Sequence, residues 1–144
     1  MSSQLNVDTI VDKAGSGGTN VKISNTSTYV SENSTTTQNT VQGLAKSFLA
    51  YKGISTNAIY DSNNIASVTD SATGKQTPNF TNNFNSANNY ATTGFGQQDT
   101  GGGGRIVCGI VAPATSNRPV NTVTASNSNT DLEWLNLTFH GDLA

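Results

Sequence analysis

The chain has 144 residues, only 11% of them charged, and a formal net charge of −2. Asn, Ser and Thr contribute 19, 16 and 21 residues, so the chain is polar without being charged, unlike ordinary cytoplasmic enzymes or charged disordered chains. Seven scattered basic residues give no basic patch for nucleic acid or an anionic membrane surface. The longest apolar run, "IVCGIVA", is too short to span a bilayer, so we expect neither nucleic-acid binding nor membrane insertion.

The composition predicts an all-β fold. Thr favours strands, Asn and Ser favour turns, and long stretches of Ala, Leu, Glu or Lys that would form helices are rare. We expect a short extended N-terminal arm at residues 1–24, a linker or intertwined segment at 25–45, and an antiparallel β-sandwich-like C-terminal domain at 46–144.

The arm contains two apolar segments, "LNVDTIV" and "VKI", separated by the turn residues "AGSGG". Its large apolar residues are too few for an independent core, and a lone hairpin is marginal in water. We therefore expect the arm to add strands to another protein's sheet, which makes it the candidate attachment segment. The residues that would carry this attachment are Leu5, Val7, Ile10, Val21 and Ile23.

Residues 40–46 fit either a helix or the beginning of a strand, and the sequence leaves both open. Strand patterns follow, with a predicted turn at "SATGK". Pro78 cannot donate to a ladder, so its strand is expected at a sheet edge or to begin at Pro78. In "LEWLNLTFHG", Leu135, Leu137 and Phe139 alternate with Trp134, Asn136, Thr138 and His140, which predicts a strand with one dry face.

The stretch "GGGGRIVCGIV", residues 101–111, resembles a phosphate-binding loop only superficially. Such a loop leads into a helix N-terminus, and a P-loop also needs Lys followed by Ser or Thr. Here β-branched residues follow the glycines and the Lys-Ser/Thr pair is absent. We expect a flexible loop that leads into a strand.

No catalytic set can be recognised. His140 and Cys108 are the only His and Cys residues, so a multi-histidine metal site is not possible, and Cys108 is expected to be a buried, inert thiol. A Cys–His pair in space and a carboxylate pair remain open, because both are spatial criteria. We expect no enzyme activity, no metal and no cofactor. The carboxylates considered, mostly in turn-like contexts, are Asp61, Asp70, Asp99, Asp131 and Asp142.

Exposed rings can stack on the apolar faces of sugars, and amides can bond to sugar hydroxyls. "NNYATTGFGQQD" contains both, which makes Tyr90, Phe95, Gln97 and Gln98 the candidate receptor contacts. The alternative is that Tyr90 and Phe95 are core residues of adjacent strands.

Several stretches resemble small tail-fibre and related virion proteins of tailed phages, particularly phages of marine and cyanobacterial hosts. They are "QLNVDTIVDKAGSGG", "NTVQGLAKSFLAYKG", "AIYDSNNIASVTDSATGKQTPNFTNNFNSANNY" and "FHGDLA". The resemblance implies a homotrimeric virion protein, made in the host cytoplasm, whose N-terminal segment attaches to other virion proteins and whose β-domain contacts host-surface glycan.

Other functions remain open beside this one. The same module could decorate the capsid or join tail components without binding a receptor, or it could be a free carbohydrate-binding module or a polysaccharide depolymerase. Independently of the resemblance, the thin core expected for residues 25–45 suggests β-surface that only other subunits can cover, which also favours a homotrimer.

Overall fold

The computed structural model describes residues 28–30, 37–39, 43–98, 105–109 and 111–144. In these ranges every helix or strand assigned is a strand, which confirms the all-β prediction. The chain divides into two units, Met1–Val41 and Gln42–Ala144, and this boundary falls inside the expected linker at 25–45. The predicted attachment residues lie outside the described ranges; they are Leu5, Val7, Ile10, Val21 and Ile23.

The described part of the first unit is a pair of short antiparallel strands. β1 (Thr28–Val30) pairs with β2 (Thr37–Asn39), with Thr28 opposite Asn39.

In its described residues the second unit forms two antiparallel sheets of four strands, as predicted for a β-sandwich. The first sheet has the order β4-β3-β10-β7, and the second sheet has the order β5-β6-β9-β8. The strands are β3 (Ala45–Lys52), β4 (Ala58–Asn63), β5 (Ile65–Ala72), β6 (Lys75–Phe80), β7 (Tyr90–Gln97), β8 (Ile106–Gly109), β9 (Val120–Val123) and β10 (Trp134–Gly141).

The two sheets are joined at both margins. On one side, β4 passes into β5 through the single residue Asn64, which adopts a φ of 58°; Asn tolerates this left-handed conformation better than most residues. On the other side, Gly96 of β7 forms an isolated antiparallel bridge with Arg105, just before β8. The edge strands of the two sheets thus meet at both margins, and the segments from β6 to β7 and from β9 to β10 also cross between the sheets.

β10 lies in the middle of the first sheet, paired with β3 and β7. Leu135, Leu137 and Phe139 have exposed fractions of 1%, 1% and 0%, which confirms the dry face predicted from their alternation. They pack with Leu49 and Tyr51 of β3 in one buried cluster. Each such apolar side chain contributes about 1.5–3 kcal/mol when it is removed from water.

Four aromatic side chains fill one end of the core. Phe80 lies with its ring centroid 4.8 Å from that of Phe84 and 5.0 Å from that of Phe139, in edge-to-face geometry, and the ring of Tyr90 stacks on Phe84 at 4.4 Å. Such pairs add to the free energy gained from burial because ring edges and faces carry opposite partial charges.

The predicted turn at "SATGK" forms at Thr73 and Gly74, between β5 and β6. Gly74 has a φ of 70°, and a Cβ there would meet the carbonyl oxygen of Thr122 at 2.6 Å. Its N–H donates to Asp131 Oδ1 at 2.6 Å, and the Gln76 amide donates to the same oxygen at 3.3 Å. Asp131 thus fixes the turn against the segment that precedes β10.

Two local expectations are now decided. Ala45 and Lys46 belong to β3 and not to a helix; residues 40–42 lie outside the described ranges.

β6 is an internal strand that begins at Lys75, so both expectations for Pro78 were wrong. The ladder between β6 and β9 covers only Lys75 and Gln76, so Pro78 interrupts none of its pairs.

The buried Tyr51 makes stability sensitive to alkaline pH. Burial, followed by the carboxylates of Asp70 and Asp131, raises the pKa of Tyr51 to about 12 from 10.0. Because the folded protein holds this proton more tightly than the unfolded chain, the contribution is complete below pH 10 and is lost as the pH rises toward 12. We expect urea unfolding to show a loss on the order of 2 kcal/mol over this range. In Tyr51→Phe this loss should be largely absent; an equal loss in the variant would contradict the assignment.

Candidate functional site

The outer face of the first sheet carries the side chains that alternate with the core residues. Because directly opposed residues of an antiparallel pair point to the same side, the register between β10 and β7 fixes this surface. The outward pairs are Trp134 with Gln97, Asn136 with Phe95, Thr138 with Thr93, and His140 with Ala91.

Three large rings are exposed on this face. Phe95 is 61% exposed, Tyr60 48% and Trp134 43%. Amides stand beside them, since Gln97 is exposed opposite Trp134 and Asn136 is exposed opposite Phe95. Apolar rings interleaved with neutral hydrogen-bonding groups suit a ligand that has apolar faces and hydroxyl groups.

The outer face of the second sheet is different in kind. Its outward positions on β5 and β6 carry hydroxyls and amides that bond to one another. Asn79 Nδ2 donates to Ser67 Oγ at 3.1 Å and to Thr69 Oγ1 at 3.0 Å. The Asn79 amide is thus engaged within this face, and the exposed rings distinguish the outer face of the first sheet.

A shallow groove of about 330 Å³ lies beside Phe95. The hydroxyls of Thr93 and Thr138 bond to each other at 2.5 Å on its floor. The groove therefore offers one ring, one amide and hydroxyl oxygens within the same depression. Its lining residues are Thr93, Gly94, Phe95, Asn136, Leu137 and Thr138.

Two glycines on β7 leave room for leucine side chains of the core to pack directly against this strand. A Cβ on Gly94 would meet Leu137 Cδ2 at 2.5 Å, and one on Gly96 would overlap Leu132 Cδ1. These positions face the core, so leucine side chains fill the space that β7 leaves empty. Phe95, between the two glycines, points outward.

The four candidate receptor contacts separate into two groups. Phe95 and Gln97 are exposed on the outer face of the first sheet, and Gln98 is half-buried just beyond β7. Tyr90 instead packs against Phe80, Phe84 and Phe139. Its ring has the core role that the sequence left open, so we do not place Tyr90 on the contact surface. Receptor contact itself stays a prediction for the other three.

The hydroxyl of Tyr90 is also engaged. It lies 3.0 Å from the carbonyl oxygen of Ala114 and 3.1 Å from that of Asn117, and it donates to this pair. Burial raises the pKa of Tyr90, while the nearby Arg118 guanidinium acts in the opposite direction. The side chain therefore anchors the segment before β9 to the aromatic end of the core.

A second depression, of about 510 Å³, lies at the end of β7 and β10 near His140. Its walls combine the imidazole of His140, the carboxylate of Asp142 and the amides of Asn88 and Asn89. In the described part of the chain, no group of three or more His, Cys, Asp or Glu residues is placed to hold a metal ion.

Cys108 is exposed, so the expectation of a buried thiol was wrong. In β8 it is Val107 that packs on the core, and alternation turns Cys108 outward, with Sγ 3.6 Å from the carbonyl oxygen of Asn121. Cys108 lies on the outer face of the second sheet and His140 on that of the first. The Cys–His pair that the sequence left open is therefore not formed.

Sequence reasoning missed two residues of this face. The alternation in β10 predicts that Trp134 faces outward, and a Trp on the solvent-facing side of an amphipathic strand is a usable signal for a contact residue. Tyr60 had no signal, because its outward direction depends on an irregularity in β4.

The structure predicts that substitutions of Tyr90 and Phe95 affect stability to different extents. Tyr90→Ala should destabilise the fold by about 3 kcal/mol, since it removes a ring from the aromatic cluster and the hydroxyl donor of the Ala114 carbonyl. Phe95→Ala should change stability by no more than about 0.5 kcal/mol, as expected for an exposed side chain. Urea unfolding of the two single variants measures this, and equal losses would show that Phe95 is also a core residue.

Comparison with protein-family models, curated proteins and solved structures finds no match to this chain. Among the described residues, the structure contains no helix that is long and apolar enough to cross a membrane.

Proposed function

We propose that this chain is a fibre protein of a tailed-phage virion and that its β-sandwich contacts glycan on the host surface. The observation that carries the glycan part is the concentration of exposed rings and amides on one outer face. Phe95, Trp134 and Tyr60 occupy the face of the first sheet, whereas the second sheet presents hydroxyls and amides bonded to one another.

The chemistry of this face suits carbohydrate. The axial C–H groups of a pyranose ring form an apolar patch that stacks on an aromatic face, and the ring hydroxyls both donate and accept hydrogen bonds. Gln97 and Asn136, exposed on either side of the Trp134–Phe95 diagonal, each provide a donor and an acceptor. A surface of this kind binds a polyhydroxylated ligand with no cofactor.

The virion part of the proposal is supported by the resemblance of "QLNVDTIVDKAGSGG" and the other stretches to phage fibre proteins. We assign virion attachment to residues 1–24 through Leu5, Val7, Ile10, Val21 and Ile23, and we propose a homotrimer. The sandwich buries its own core, with Leu49, Leu135 and Phe139 at most 1% exposed. The homotrimer is therefore not needed to complete this core and rests on the resemblance and on the first unit.

Deleting residues 1–24 tests the virion assignment. The truncated chain should keep a cooperative unfolding transition, because the sandwich core lies entirely within residues 43–144. It should no longer enter virions, and residues 1–24 fused to a foreign soluble trimer should bring that trimer onto virions. Immunoblots of purified particles measure both results. Normal incorporation of the truncated chain would place the attachment surface within residues 25–144.

Substitution of the outer face tests the glycan assignment. Virions that carry the double variant Phe95→Ala and Gln97→Ala should adsorb to host cells at least about tenfold more slowly. Thr77→Ala, on the outer face of the second sheet, is the matched control and should leave adsorption unchanged. Unchanged adsorption of the double variant, with normal incorporation, would instead support a decorating or adaptor protein without receptor binding.

A further inference from the structure

A β-bulge in the edge strand β4 brings Tyr60 onto the outer face of the first sheet. Ala50 of β3 is opposite Asp61, and the next residue, Tyr51, is opposite Ile59, so Tyr60 is the extra residue. Bulges re-aim side chains next to functional sites. In a regular β4, Tyr60 would point to the other side of the strand from Asp61.

The re-aimed ring meets the only tryptophan of the chain. The centroids of Tyr60 and Trp134 are 5.1 Å apart with an interplanar angle of 30°, and both side chains remain exposed, at 48% and 43%. Together they form one tilted, partly exposed pair of rings, which we call the platform. It spans from the edge strand β4 to the central strand β10, above β3.

Polar contacts hold the platform in place. The Tyr60 hydroxyl lies 3.4 Å from Glu133 Oε1, and Lys52 Nζ lies 3.6 Å from the same oxygen. Glu133 therefore lies beside the edge of the Tyr60 ring, where it makes a long contact with the hydroxyl and pairs with Lys52. A surface that is ordered before binding loses less conformational entropy when a ligand arrives.

We propose that the platform is the primary subsite for a neutral oligosaccharide, with one sugar stacked on Trp134 and Tyr60 and hydroxyls bonded to Glu133 and Lys52. This rests on the proposed glycan contact and names its ligand class and central residues. The local charge favours a neutral ligand. Glu133 and Asp61 are both acidic, and among the described residues Lys52 is the cation paired with Glu133, so an acidic sugar would meet like charge.

The size of the exposed aromatic surface argues for a sugar and against a second protein subunit. From their exposed fractions, the rings of Tyr60, Phe95 and Trp134 present roughly 300 Å² in total. A stable protein interface needs about 800 Å² per partner, whereas single exposed patches of roughly 300–600 Å² are common on monomers and are often functional.

Phe95 extends the platform into a track. Trp134 is opposite Gln97 and Asn136 is opposite Phe95, so the Trp134 and Phe95 side chains are diagonal neighbours on the outer face. The line from Tyr60 through Trp134 to Phe95 crosses the three gaps between four strands, about 14 Å. This length suits several linked sugars, not a single one.

Intrinsic fluorescence gives a direct test, because Trp134 is the single tryptophan of the full chain. We would titrate the full-length protein with neutral oligosaccharides of glucose, galactose, mannose or N-acetylglucosamine, and with acidic oligosaccharides that contain glucuronate or sialate. A saturable change in Trp134 emission with a neutral oligosaccharide is expected. A response to acidic oligosaccharides alone would overturn the proposed ligand class.

Calorimetry on variants then tests the subsite itself. Trp134→Ala should weaken binding of the responding oligosaccharide by at least about tenfold, and Trp134→Phe, which keeps a ring, by only about threefold. Tyr60→Phe should have a small effect, and Tyr60→Ala a larger one. Thr77→Ala is the control on the other sheet. Trp134→Ala should still unfold cooperatively, since its side chain is 43% exposed and lies outside the core cluster.

The other outcomes separate this inference from the proposed function. If Phe95→Ala abolishes binding and Trp134→Ala leaves it unchanged, the platform is wrong while the glycan contact stands. If no oligosaccharide binds to virions or to the protein, both fail. If light scattering shows that Trp134→Ala lowers the oligomeric state, the platform is an interface between copies of this chain, and the inference is overturned.

Discussion

The alternation of side chains along β10 is the constraint on which the remaining structure depends. Leu135, Leu137 and Phe139 must all face the core, and β10 is held on both sides, by β3 and by β7. A slip of one residue would put these three side chains in water and Trp134 in the core. The same alternation therefore decides which residues of β10 face the core and which face outward. Trp134 is exposed because the leucines that alternate with it must be buried.

The sequence predicted the features that depend on local pattern. Alternation predicted the buried face of β10, and turn residues predicted the turn at Gly74, because both patterns act over a few residues. The abundance of Thr, Asn and Ser, with few helix-forming stretches, predicted an all-β fold. The strand that follows the glycine run was also predictable, since β-branched residues precede Cys108. These patterns are sufficient to give the fold class.

The features that could not be predicted from the sequence depend on pairing between strands that are distant in the chain. Tyr90 is half-buried because Gly141 lies opposite it and Phe84 reaches it from a loop. Cys108 is exposed because Val107 is the residue of β8 that meets the core. Tyr60 joins Trp134 only because β4 carries a bulge opposite β3. The contacts that decide these orientations, such as Val107 with the core cluster and Tyr60 with Trp134, join residues that are distant in the chain, so no local window contains the information.

The antiparallel pairing of β3 with β10 has a mechanical consequence. The chain enters the sandwich at Ala45, paired with His140, while Tyr51 pairs with Leu135 at the other end, next to Trp134. A load applied between the N-terminal side of β3 and a ligand on Trp134 would pull the two strands in opposite directions along their length. The hydrogen bonds between them would then be sheared together and not opened one by one, a geometry suited to holding under tension.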